Sequence, residues 1–154
     1  MIRRAEEKDL DRIVEINNQT SWFKKETKEI FSQFLDNPLF LVSERKGLVS
    51  GYALVCNQDY DLEMDYFHYV KRNFKNFYYV DEVASDILSP VKGTALNLYR
   101  YLFSLSENDP IFAVISLKPL NEKSLNFHTK RGFKQLHKFV YPNSEQYGLY
   151  MLWR

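Results

Sequence analysis

One stretch of the chain combines residue types and spacing suited to chemistry: Pro119-x-Asn121-x-x-Ser124-x-x-Phe127-His128-x-Lys130-x-Gly132-Phe133. Read as a helix from Asn121 to Arg131, it sets Ser124, Phe127 and His128 on one face by their three- and four-residue spacing. An imidazole there can take or give a proton near neutral pH. Lys130 and Arg131 fall in the last turn, where positive charge suits the helix dipole, and Gly132 stands where helices often end in a left-handed residue. A second stretch, Pro90-Val91-Lys92-Gly93-Thr94-Ala95, reads as a loop opening a helix. Read alone, its Gly-x-Ala is more often a plain helix start than a ligand site, although backbone N–H groups at a helix start can converge on an anion. Upstream, Asp81 and Glu82 put two carboxylates side by side in a strand-like run.

The elements that must carry these residues can be read from periodicity. Ile2 to Ala5 is a short strand running into an amphipathic helix through Leu10, Ile13, Val14 and Ile16, with Glu6, Glu7 and Asp9 in its first turn. Lys24 to Leu35 repeats the helical period and ends at Pro38. Leu39 to Ser43 and Leu48 to Cys56 form a hairpin across Glu44-Arg45-Lys46-Gly47, where the glycine takes positive φ easily. Phe77 to Ala84 is a strand, Thr94 to Ser104 a helix, and Ile111 to Leu117 a buried-type strand. Phe133 to Tyr141 and Tyr147 to Trp153 close the chain as a final hairpin.

That order, β-α-α-β-β-β-α-β-α-β-β, together with the Pro119 to Phe133 stretch, resembles the GNAT N-acetyltransferase superfamily. Its second signature runs Pro-x-Asn-x-x-Ser/Ala-x-x-Phe-Tyr/His-x-Lys-x-Gly-Phe. The resemblance covers nearly the whole chain, 1–154, as a single domain. It implies an α+β fold with a mixed, mostly antiparallel sheet of six to seven strands, splayed between the fourth and fifth, and four helices. The loop at 90–95 is similar to the family's Gln/Arg-x-x-Gly-x-Gly/Ala phosphate loop: Gly93 and Ala95 agree, and Pro90 replaces the Gln or Arg and removes one donor. Asn57 to Asp61, Tyr66, Phe67, Phe74 and Phe77 to Asp81 look like a subgroup with an aromatic insertion before Tyr-Val-Asp-Arg, with Glu82 in place of that arginine.

The activity so implied is transfer of the acetyl group of acetyl-CoA to a primary amine by direct attack. The implied coenzyme A contacts are backbone groups of Val83 and Ser85, the loop Val91, Lys92, Gly93, Thr94 and Ala95, the Asn121 side chain and Lys130; Lys92 and Lys130 read equally as solvated surface lysines. A lysine-type amine of pKa near 10.4 is about 4–5 kcal/mol from its neutral form at pH 7, so a base is valuable, whereas an α-amine lacks only about 1 kcal/mol. If Val83 and Ser85 turn toward the cofactor, the two-residue period puts Asp81 on the same face and makes it the base; Glu82 follows as second choice because a bulge would exchange the two. His128 stands where the family mostly has tyrosine, as donor to the departing thiol, or else as a histidine suited to a helix C-terminus. The acceptor expected is a small or amino-acid-like amine, with the aromatic segment Tyr60 to Tyr79 closing one side of its pocket. A catalytically inactive acyl-CoA-binding fold and a plain α+β interaction module are the alternatives, the first favoured by Pro90 and His128.

Composition sets further bounds. At 154 residues and 45% apolar content the chain suits one core. Lysine and arginine number 21 against 20 aspartates and glutamates, which gives none of the basic excess of a nucleic-acid binder. No apolar run reaches the roughly 20 residues a membrane helix needs and no signal peptide is read, so a cytoplasmic location is expected. Cys56 is alone and reads as a small core residue, and three scattered histidines argue against a metal site. A homodimer stays open.

Overall fold

The computed structural model describes residues 1–153. Seven strands and five α-helices alternate as β1 (Ile2–Arg4), α1 (Leu10–Asn17), α2 (Lys28–Ser32), β2 (Phe40–Arg45), β3 (Leu48–Asn57), α3 (Asp65–Asn73), β4 (Tyr78–Ser85), α4 (Thr94–Ser106), β5 (Ile111–Lys118), α5 (Glu122–Lys130), β6 (Lys134–Val140) and β7 (Gln146–Leu152). The strands follow the order β1-β2-β3-β4-β5-β7-β6. β4 and β5 are parallel, and their register covers Tyr78 to Val80 against Ile111 to Ala113, three pairs in strands of eight residues, which is compatible with the expected splay. By contacts the chain falls into two compact units, Met1–Val55 with Asp81–Leu105, and Cys56–Val80 with the chain from Ser106 onward.

The first unit is built on β1, β2 and β3, antiparallel throughout. Lys46 and Gly47 turn the hairpin with φ of 51° and 79°, the two positive values that a tight turn matching the strand twist demands. α1 turns Leu10, Ile13 and Ile16 inward onto Phe31, Phe40, Val42, Tyr52, Leu54 and Ala84. Each fully buried aliphatic or aromatic side chain there contributes about 1.5–3 kcal/mol. Arg3 clamps the strand to the following turn with a two-pronged bond to Asp9, 2.8 and 2.9 Å, and a further bond to Glu44.

α2 is shorter than the Lys24 to Leu35 helix expected. Thr27 caps it by accepting from the Ile30 N–H, so the helix begins at Lys28. The preceding residues are held in another way, by Asn17, whose side chain accepts from Glu26 N at 3.1 Å and donates to the Lys24 carbonyl at 3.4 Å.

The second unit holds the one helix that the sequence reading lacked, so that five helices replace the expected four. α3 turns Phe67 and Val70 inward. Phe67 meets Phe77 and Tyr79 edge to face at 5.6 and 5.4 Å, and Phe74 lies 4.8 Å from Phe112. Aromatic and β-branched residues are poor helix formers by themselves, and here tertiary burial overrides propensity. β5, β7 and β6 complete the unit as an antiparallel set. Phe67, Phe77 and Tyr79 of the aromatic segment are core residues.

Candidate active site

In the first unit the carboxylate pair sits on β4, where burial alternates with the strand period: Glu82 and Ala84 are buried, while Asp81, Val83 and Ser85 are half-buried. Asp81 therefore shares a face with Val83 and Ser85, and Glu82 points the other way. Glu82 is 8% exposed. Its Oε1 accepts from the Tyr52 hydroxyl at 2.5 Å and from Asn17 Nδ2 at 3.0 Å, and Asn17 Nδ2 also reaches the Tyr52 oxygen at 3.1 Å. Burial pushes the Glu82 carboxyl up to about 7, against the hydrogen bonds from Tyr52 and Asn17, which hold it down. Asp81 is pushed up to about 6 by burial, with the charge of Glu26 adding to it. Two adjacent carboxylates thus change charge close to neutrality, where proton transfer to and from an amine is most efficient.

Tyr52 and Asn17 are hydrogen-bond partners of this carboxylate that sequence reasoning missed. Tyr52 lies inside an apolar strand run, and nothing in its spacing separates it from core aromatics.

These shifts carry a stability consequence. Native Glu82 binds its proton more tightly than the unfolded chain, whose carboxyl titrates near 4.5. The stability it contributes is therefore full below pH 4.5 and lost as pH rises through about 7. Glutamine would keep the carbonyl that accepts from Tyr52 and Asn17 while removing the charge. Glu82→Gln is expected to match the parent at pH 4 and exceed it by up to about 3 kcal/mol at pH 8 in urea unfolding. Parallel stability curves for the two proteins would contradict the assignment.

The candidate phosphate loop follows β4. Gly93 has φ of 76°, with open space where a side chain would begin, and its carbonyl accepts from Asn97 N as α4 starts. Lys92 and Gly93 are exposed, and Ala95 is half-buried. The first N–H groups of a helix have no partner within it, so this start can hold an anion. Two members of the expected set have hydrogen-bond partners within the protein. The Val91 N–H is taken by the Ser89 hydroxyl at 3.1 Å, and the Thr94 side chain, 3% exposed, shares a hydrogen bond with Ser50 at 3.1 Å. Gly51 explains the close fit of this corner: a Cβ there would lie 2.5 Å from Thr94 Cγ2 and 2.6 Å from the Ala84 carbonyl. The loop itself is tied to α1, since Asp86 pairs with Arg12 and accepts from Gln19 at 2.8 Å, and Gln19 accepts from Ile87 N at 2.9 Å.

In the second unit, Asn121 is the N-cap of α5. Its Oδ1 accepts from Ser124 N at 3.2 Å, so the side chain expected to reach pantetheine already serves its own helix through that oxygen. His128 is 8% exposed, wedged edge-on against Phe127 and Phe133 at 5.3 and 5.1 Å. Its Nδ1 donates to the Ser124 carbonyl at 2.7 Å, which fixes the neutral tautomer with Nε2 unprotonated. Burial lowers its pKa below the usual histidine value, more than that bond raises it. Lys130 is exposed. Gly132 ends the helix with φ of 97°, its N–H and that of Phe133 closing on the Thr129 and His128 carbonyls at 3.1 Å each. No group of three acidic, histidine or cysteine residues among the described residues is arranged to hold a metal ion.

No protein-family model and no curated protein sequence matches the chain. Solved structures do resemble it. Ard1 from Thermoplasma volcanium superposes with a TM-score of 0.75 at 18% identity, over 99% of this chain and 96% of the other. A GNAT-family acetyltransferase from Bacillus cereus gives 0.73 at 15% identity, over 100% and 96%. yncA, a putative acetyltransferase from Salmonella typhimurium described with its cofactor acetyl-CoA, gives 0.71 at 21% identity, over 99% and 92%. The chain has the fold of the GNAT N-acetyltransferases, as the resemblance read in its sequence implied.

Proposed function

We propose that the protein is an N-acetyltransferase that moves the acetyl group of acetyl-CoA to a primary amine, with a small or amino-acid-like amine as acceptor. The observation that carries this reading is the pair of β4 carboxylates held near neutrality one loop upstream of the exposed Gly93 helix start, on a fold shared over nearly its whole length with acetyltransferases.

Coenzyme A supplies the thioester whose carbonyl the amine attacks. For this chain's part, Lys92, Gly93 and Ala95 receive the phosphates at the start of α4, Lys130 adds positive charge, and Thr94 anchors the loop from behind through Ser50. The backbone of Val83 and Ser85 offers strand-type hydrogen bonds to pantetheine, and Asn121 retains its amide nitrogen for the same ligand. Asp81, half-buried, takes the proton from the acceptor ammonium, and the free amine then attacks; burial and the charge of Glu26 raise its basicity, and Glu82, fixed by Tyr52 and Asn17, is the second choice of base.

His128 is the proton donor to the departing sulfur in this reading, and its lowered pKa confines that role to the acid side. His128→Phe is expected to lose roughly tenfold or more in turnover below pH 6 and little at pH 8, with acetyl-CoA affinity retained. Equal rates across pH 5 to 8 would leave His128 as a packed helix residue.

The acceptor class is tested by following free thiol release across a panel of small amines, amino acids and peptides with free N-termini. Saturable turnover of small amines supports the reading, and turnover confined to peptides or proteins would overturn its choice of acceptor.

A further inference from the structure

The last residue of α1, Asn17, is fully buried, and both ends of its amide are in use. At one end Nδ2 donates to Glu82 Oε1 at 3.0 Å and to the Tyr52 oxygen at 3.1 Å, with the Lys24 carbonyl at 3.4 Å. At the other, Oδ1 accepts from Glu26 N at 3.1 Å. An amide offers two donors and an acceptor from one short planar group, so a single residue bridges a carboxylate on β4 and the backbone of the segment before α2. Glu26 is thereby pinned between this clasp and Thr27, whose side chain caps α2.

The pinned residue carries the charge that acts on the base. Lys24 and Lys25 are exposed, whereas Glu26 is half-buried. Burial raises both β4 acids most, and the negative charge of Glu26 adds to it in each. Tyr52 on β3 is the other titratable group of this corner; burial and the charge of Glu82 push its phenol up, so it stays a neutral donor. A glutamate on an unpinned segment would swing into water, where its charge is screened.

We infer that Asn17 is a positioning residue for the base: it fixes Glu26 beside the β4 carboxylates and so tunes how strongly Asp81 holds a proton. The link to catalysis rests on the acetyltransferase reading, while the proton affinity of Asp81 is measurable without turnover.

The test is a carboxyl-carbon NMR titration of the whole chain without ligand, with the Asp81 signal assigned by its loss in Asp81→Asn. Glu26→Gln keeps the N–H that Asn17 accepts and removes the charge, and it is expected to lower the Asp81 midpoint by roughly 0.5 pH unit or more. Asn17→Ala releases the segment and is expected to lower the midpoint too, by less in a Glu26→Gln background than alone, which is the coupling that positioning requires. A side chain that only stabilised the fold would shift unfolding and show no such coupling. In turnover, the low-pH limb is expected to move down with the midpoint in both variants. Should Asn17→Ala fail to fold, the parent still decides: after correction for intrinsic rates, the Glu26 amide is expected to exchange with solvent at least about tenfold more slowly than the Lys25 amide. An unmoved midpoint in Glu26→Gln, equal effects of Asn17→Ala in the two backgrounds, or a Glu26 amide exchanging as fast as that of Lys25 would each overturn the assignment. A moved, coupled midpoint without acetyl transfer to any amine upholds the positioning and removes the catalytic reading alone; turnover with an unmoved midpoint does the reverse.

Discussion

Asp81→Asn is expected to lower turnover by about 10²–10⁴-fold while leaving acetyl-CoA binding within a fewfold of the parent. The size follows from the work assigned to one side chain. An acceptor of lysine type must lose a proton worth about 4–5 kcal/mol at pH 7 before it can attack, and asparagine cannot accept it. Asp81 is isosteric with asparagine and half-buried on the face it shares with Val83 and Ser85, so the substitution leaves the strand intact. Its carboxyl is pushed up to about 6 by burial. The parent rate should therefore climb through a limb near pH 6, where the base becomes charged, and that limb should vanish in Asp81→Asn. Should Glu82→Gln remove the limb while Asp81→Asn keeps it, the base is Glu82, and the order of the two acids is reversed.

Gly93→Glu is expected to weaken acetyl-CoA by roughly a hundredfold or more, the second large effect. It places a carboxylate at the start of α4, where the N–H groups and the dipole favour an anion and would now meet two. Glutamate at positive φ also carries backbone strain, of about 1–2 kcal/mol, and a matched control separates that strain from the loss of binding. Gly47 has φ of 79° and equally open space, in the β2–β3 turn. Gly47→Glu therefore bears the same backbone cost with no effect on ligand. Titration calorimetry on both variants distinguishes them, and similar affinities for acetyl-CoA would mean that the loop at 90–95 does not receive the phosphates.

Much of the fold was legible because its elements announce themselves locally. The β2–β3 hairpin was legible in the polar turn Glu44 to Gly47 between two apolar runs, and α5 in the spacing of Ser124, Phe127 and His128 and the stop at Gly132. α3 escaped because Asp65 to Asn73 is built from aromatic and charged residues whose helical period shows only as Phe67, Val70 and Phe74, once tertiary partners are known. α2 came out short because Asn17, distant in sequence, holds Glu26 in an extended loop.

The candidate site divides in the same way. Asp81 and Glu82 were placed on opposite faces by the strand period alone, as β4 has them. What holds Glu82, the Tyr52 hydroxyl and the Asn17 amide, comes from β3 and α1, and long-range partners of this kind leave no local trace. Asn121, Val91 and Thr94 carried motif positions whose side chains or N–H groups turned out to be engaged in capping and anchoring. A motif gives residue types at a spacing; it does not give the competing hydrogen bonds that the folded chain supplies.

The most direct measurement of the central proposal is thermal unfolding of the whole chain with and without acetyl-CoA. A ligand that binds only the native state must raise the transition, by about 2.7 kcal/mol of stabilisation at a concentration 100 times its dissociation constant. A saturable rise with acetyl-CoA, smaller with adenosine and absent in Gly93→Glu, is the expected result; a folded protein whose transition stays unmoved at millimolar acetyl-CoA would contradict the acetyltransferase reading.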